Sequence, residues 1–364
     1  MAVRDVSAYS VVHAAVRGLY SKRLSPDTWE ALLHAEDFEI VLSLLSKTAY
    51  GSYLAGIPPD RMTPRRAVYQ IRQRLADVYE KVIRLSPDRA CELLLWLWRL
   101  YEVDDLKATF RGIEAGATWD RVRFLLYPRH RYALLTLEDL EEMILTGSVA
   151  EAIESIRGTP YYEPLAHALN RYQAEGNLFP LEVALDLAYT RSLWETLGRL
   201  RGQDHEHAMR LVGTLIDIDN LLWAIRYRAY HHLSEQEIIN YTLPFGYQVK
   251  DDDIRAIAAG ADMASVVRRV YPDMADLAAL EHLEPGGAAP LESLEVALQR
   301  RLVRICYDEF VGYPFHVGIP IAYLLVIEYE NRDLVVLIEA KASHLPRERF
   351  GPLLVTRSAV TSAR

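Results

Sequence analysis

Three short stretches of one pattern recur along the chain: Glu-Val-Asp-Asp-Leu at 102–106, Asp-Ile-Asp-Asn-Leu at 217–221 and Glu-Asn-Arg-Asp-Leu at 330–334. Each places an acid, then Asp or Asn three residues on, then Leu one further, inside a run with helical apolar spacing. The intervals are 115 and 113 residues. A second set keeps nearly the same step, with Phe38, Val149 and Met263, each after a small or acidic residue (Asp37, Ser148, Asp262), opening an amphipathic run. Two features kept in order and distance imply a domain-sized unit used three times, too long for a short-period solenoid. The repeats are read as residues 1–127, 128–245 and 246–364 of the 364.

Helical periodicity dominates between these landmarks, so the fold class expected is all-α. In 91–112, Leu93, Trp96, Leu97, Leu100, Val103, Leu106 and Phe110 recur three or four residues apart, and Gly112 supplies a stop. This spacing assigns Trp96 to the core. No alternating strand run and no strand-then-helix rhythm is present. Pro and Gly mark turns at 55–64, 157–164, 283–290 and 311–320. Cys91 and Cys306 sit far apart in apolar helical patterns, as expected of buried, reduced thiols. The N-terminus lacks a signal-peptide apolar core, and the most apolar stretch, around 318–327, is about half a membrane span.

A net charge of −9 argues against broad nucleic-acid binding. The densest basic segment, with Arg61, Arg65, Arg66, Arg72 and Arg74, reads as a solvated helix face.

On a helix, positions i, i+3 and i+4 share a face, so Glu102 with Asp105, Asp217 with Asn220, and Glu330 with Asp333 are neighbours. Paired carboxylates can serve acid–base chemistry or hold a metal. An amide at 220 and a threefold repetition fit neither task. These six polar groups are expected instead to bond to neighbouring helices or loops and fix one packing register, since an unpaired buried polar group costs about 1–3 kcal/mol. His205, His207, His231 and His232 would serve a metal-dependent hydrolase, but their spacings match no two-histidine helical motif; a surface or helix-cap role is expected for Asp204–His207. Phosphate-loop, dinucleotide, serine-elbow and zincin motifs are absent. No catalytic, nucleotide-, cofactor- or metal-binding residue is assigned. A free helical scaffold for soluble partners is the alternative reading.

The segment 314–350 resembles the signature region of the C-subunit family of the V/A-type ATPases (ATP synthases), whose counterpart in the vacuolar enzyme is the d subunit. The agreeing residues are Pro314, Phe315, Gly318, Ala322, Tyr323, Glu330, Arg332, Leu334, Lys341, Leu345 and Pro346, and residues 36–54 are similar to the family's opening domain. At position 333 the family leads one to expect an amide, and this chain has Asp. The resemblance implies three pseudo-symmetric helical lobes forming a funnel with a central cavity. It also implies a peripheral place on the cytoplasmic face of the membrane, between the central-stalk subunits and the membrane proteolipid ring. The task implied is non-catalytic coupling of ATP synthesis or hydrolysis to proton or sodium transport.

Overall fold

In the computed structural model the described residues are 2–231, 233–272, 274 and 288–356, and every regular element among them is helical. In chain order α1 (Ala2–Tyr20), α2 (Pro26–His34) and α3 (Phe38–Leu45) come first. There follow α4 (Gly51–Leu54), α5 (Pro64–Leu85), α6 (Asp88–Glu114), α7 (Trp119–Val122), α8 (Leu137–Thr146), α9 (Val149–Ser155), α10 (Tyr162–Glu175) and α11 (Phe179–Arg199). The last series is α12 (Gly202–Ala208), α13 (Thr214–Ala229), α14 (Glu235–Asn240), α15 (Asp251–Ala258), α16 (Met263–Val270), α17 (Ala288–Asp308), α18 (Gly318–Ala342) and α19 (Arg347–Phe350). Of the expected turn at 283–290, residues 283–287 lie outside the described residues and 288–290 open α17.

The chain divides into two compact units, one of residues Leu45–Thr196 and one joining Met1–Leu44 to Leu197–Arg364. In the first, α6 packs on α5 and on the short helices α8 and α9. In the second, α13 packs on α14, α15 and α17, while α18 packs on α1 and α17. Each acid-bearing helix is a central strut of its unit. Helix α18 is buried nearly all round, from Ile319 to Ile338, which suits a helix surrounded by others and not a surface one. Among the described residues no helix is long and apolar enough to cross a membrane.

The short helices start where the sequence marks them. Asp37, Ser148 and Asp262 are N-caps: each accepts from the backbone N–H three residues on, at Ile40, Glu151 and Ser265. The preceding helices α2, α8 and α15 begin at Ser25, Thr136 and Lys250, twelve residues before those caps in every case. In two of the three cases, α8 with α9 and α15 with α16, the successive short helices pack on one another.

The apolar register of α6 differs from expectation at one point. Trp98 is the core tryptophan, packed against Tyr79, Tyr101 and His130, while Trp96 is half-buried beneath Arg99. Of the expected line, Leu93, Leu97, Val103, Leu106 and Phe110 are buried and only Trp96 and Leu100 are half-buried, while Leu94, Trp98 and Tyr101 join the buried face. The basic segment also departs from a wholly solvated face. Arg74 is buried, donating to Tyr50 Oη at 3.0 Å with its guanidinium over the Tyr50 ring, and Arg72 donates to Leu125 O. Cys306 is buried and Cys91 half-buried; both are free thiols.

A recurring polar clamp as candidate functional site

All six of the polar positions at 102, 105, 217, 220, 330 and 333 are buried, at 1% exposure or less. Each is satisfied by a backbone group of a loop that follows, or in one case precedes, its helix.

The second position of each pair holds a chain segment 22 or 23 residues downstream. Asp105 accepts from Tyr127 N at 2.9 Å and pairs with Arg129 Nη1 at 2.5 Å. Asn220 makes a reciprocal pair with Leu243, accepting from its N–H and donating to its C=O, both at 2.9 Å. Asp333 accepts from Val355 N, Thr356 N and Thr356 Oγ1, at 2.8, 2.8 and 2.6 Å. The residue types follow from these partners. An amide is needed where one acceptor and one donor must be met, and a carboxylate where three donors converge. This accounts for Asp333 where an amide is expected: an amide NH2 there would face donors.

The first position reaches the segment just ahead of a short-helix N-cap. Glu102 accepts from Leu134 N at 2.9 Å and Tyr161 Oη at 2.5 Å. Asp217 accepts from Tyr247 N and Gln248 N at 2.7 and 2.6 Å, and a Cβ at Gly246 would collide with its Oδ1. Glu330 accepts from Leu24 N at 3.2 Å and lies 3.5 Å from Arg23 Nε. Leu24, Leu134 and Gln248 precede the N-caps Ser25, Thr136 and Lys250 by one or two residues. The third long helix thus grips the chain's beginning where the first two grip what comes next.

A third contact escaped sequence reading. Eleven residues after Glu330 and Asp217 stand Lys341 and Arg228. Lys341 Nζ donates to Leu33 O and Ala35 O, at 3.0 and 2.6 Å, at the C-terminus of α2. Arg228 Nη1 donates to Ile257 O and Ala261 O, at 2.7 and 3.1 Å, at the C-terminus of α15. Both cations cap helix ends whose carbonyls lack intrahelical partners and whose dipole favours positive charge. The equivalent residue after Glu102 is Ile113, so no charge pattern marks the position. Lys341→Met is expected to cost about 2–3 kcal/mol, because two carbonyls lose their donor at a buried site; chemical unfolding of the variant against the parent chain checks this.

Burial dominates the electrostatics of these carboxyls. It pushes Asp105 up to about 7 against the pull of Arg129 and Tyr127 N, and Asp217 and Asp333 up to about 6 against their backbone N–H donors. Glu102 is raised for the same reason. A carboxyl raised on folding contributes stability that is full below its unfolded value, near 3.8, and is lost as pH rises through its folded value. The window for Asp105 is therefore about pH 4 to 7. The margin of the parent chain over Asp105→Asn is expected to widen by about 1–2 kcal/mol between pH 8 and 5.5, read from paired urea titrations.

A separate cluster sits where α12 meets the turn between α17 and α18. His207 Nδ1 lies 2.8 Å from Glu309 Oε2, Arg210 Nη2 lies 2.6 Å from Glu309 Oε1, and the rings of His207 and His316 stack 3.5 Å apart, 7° from parallel. His207, Glu309 and His316 are close enough to suggest a metal site. Face-to-face imidazoles direct their lone pairs along parallel planes, so the two rings do not converge on one ion. Asp204 accepts from Val317 N at 2.9 Å, a cap at the start of α18, and a Cβ at Gly318 would crowd Glu309, His207 and His316. Among the described residues, His205, His207 and His231 of the hydrolase reading form no common group. His205 Nδ1 lies 3.3 Å from Leu197 O, His231 is exposed, and His232 lies outside the described residues.

Each buried clamp is taken up by backbone and side-chain partners from its own unit. Residues 12–351 match the family model described as ATP synthase (C/AC39) subunit. The C subunit of the A-type ATP synthase of Methanocaldococcus jannaschii is 25% identical over 97% of this chain and 88% of its own length. That of Methanothermobacter thermautotrophicus is 26% identical over 93% and 85%. With the match spanning almost the whole all-helical chain, this protein belongs to the ATP synthase (C/AC39) subunit family, as an accessory subunit and not a catalytic one.

Proposed function

We propose that the protein couples the central shaft of a rotary ATPase to the membrane proteolipid ring, lying peripherally on the cytoplasmic face. In this reading the repeats 1–127, 128–245 and 246–364 form three lobes of a funnel that seats the shaft. The supporting observation is the recurrence of one buried polar clamp at 102/105, 217/220 and 330/333, each tying a long helix to the loops beside it. A part that transmits torque must resist shear between helices, and directional buried hydrogen bonds fix packing in a way that apolar contacts alone do not. Three similar lobes would offer related surfaces to the identical subunits of a ring. The relatives named as C subunits of A-type ATP synthases lend the same support.

The test is affinity purification of the tagged chain from native membranes in mild detergent, with cross-linking and mass spectrometry. Shaft and ring subunits are the expected cross-linked neighbours. Recovery of an intact ATP synthase without the tagged chain, the chain being bound instead to soluble partners, would overturn the proposal in favour of a free scaffold.

A further inference from the structure

The unit Leu45–Thr196 carries a cleft of about 280 Å³ whose walls are the rings of Tyr69, Trp119 and Phe124 and whose rim carries Glu138 and Glu141. That volume is at or below the low end of drug-sized ligand pockets, about 300–1,000 Å³, so it suits one side chain better than a cofactor. Trp119 and Phe124 are part-exposed on and beside the short helix α7, and Tyr69 meets Phe124 edge to face at 5.9 Å. Glu138 and Glu141 are three residues apart in α8 and so share a face. Neither makes an ion pair or hydrogen bond among the described residues.

The charge balance decides what fits. Among the described residues the one cation lining the cleft, Arg123, is bound to Asp120 at 3.1 Å and lies over the Phe124 ring at 4.6 Å, with Arg66 over the same ring at 5.4 Å. Phe124 is thus already engaged by cations of the chain itself. The indole of Trp119 and the two rim carboxylates remain. Aromatic faces attract cations through their quadrupole, and a guanidinium can stack flat on an indole while its N–H fork meets carboxylate oxygens, which an ammonium does less well.

We propose that this cleft is a docking socket for an arginine side chain presented by a partner protein. It deepens the function proposed above, resting on it only for the partner's being a subunit of the rotary complex. The guanidinium stacks on Trp119 and pairs with Glu138 and Glu141, and Tyr69 closes the wall beside it.

The experiment uses the full chain and two small probes, N-acetyl-arginine amide and its neutral isostere N-acetyl-citrulline amide, followed by the indole N–H resonance of Trp119. That resonance is assigned by its disappearance in Trp119→Phe. The arginine probe is expected to shift it saturably, in the millimolar range, and the citrulline probe at least about fivefold more weakly. Glu138→Gln with Glu141→Gln should weaken arginine binding about tenfold. Unchanged circular dichroism would show that the fold survives, as both side chains are outside the core. Equal response to the two probes, or no saturable response to arginine, overturns the socket. A saturable arginine response in a chain that captures no rotary-ATPase subunit would leave the socket standing and sink the proposed function; the reverse pattern would do the opposite.

Discussion

Asp333→Ala is expected to lower the stability of its unit by about 3–5 kcal/mol, since an unsatisfied buried donor costs about 1–3 kcal/mol and three converge on this carboxylate. Val355 N, Thr356 N and Thr356 Oγ1 all lose their acceptor, and Leu354 and Val355, both nearly inaccessible, lie beside them. Water cannot easily replace the carboxylate there, because Tyr329, Glu330 and Leu337, which share Asp333's face of α18, are themselves buried. The loss should appear twice: as a lower urea midpoint, and as collapse of amide-exchange protection at Val355 and Thr356. The second readout is local and does not depend on the whole chain unfolding in one step. A loss below about 1 kcal/mol would mean that solvent reaches these groups and that the clamp is not what fixes the segment.

Asn220→Asp should be nearly as damaging for the opposite reason. The amide gives a proton to Leu243 O and takes one from Leu243 N, and its side chain is 1% exposed. A carboxylate turns the donated bond into oxygen facing oxygen and adds a buried charge, so a cost of about 2–4 kcal/mol is expected at pH 8. Acid should restore much of it, because a protonated carboxyl can again donate to Leu243 O. A stability gap that stays constant between pH 8 and 5 would refute the reciprocal pairing. Asp333→Asn, conversely, should gain nothing from acid. These paired substitutions ask whether amide and acid are chosen by the partners each meets.

The sequence made the helical class and the positions of the clamps legible because both rest on spacing. The six polar residues recur at steps of 115 and 113 residues, and the caps Asp37, Ser148 and Asp262 open helices whose apolar faces are plain in the pattern. What was hidden depends on who sits opposite. Lys341 and Arg228 carry the same duty, but Ile113 breaks the series, so no repeat signal exists. Arg74 looks like its solvated neighbours until Tyr50, from α4's N-cap, covers it. Trp96 and Trp98 stand about 200° apart on the helix, but the buried residues of α6 extend over most of its circumference, so apolar spacing does not single out which of the two is enclosed. The stack of His207 on His316, with Glu309 beneath, joins residues about a hundred positions apart and has no local signature.

The grip of Glu330 on Leu24, across 306 residues, sets a timetable for the chain's birth. At about 5–20 residues per second the ribosome needs roughly 15 to 60 s to make the partner that Leu24 awaits. Through that interval the apolar side of α1, with Tyr9, Val12 and Val16, has nowhere native to go. The unit that joins Met1–Leu44 to Leu197–Arg364 is therefore expected to close its core only after α18 has been made.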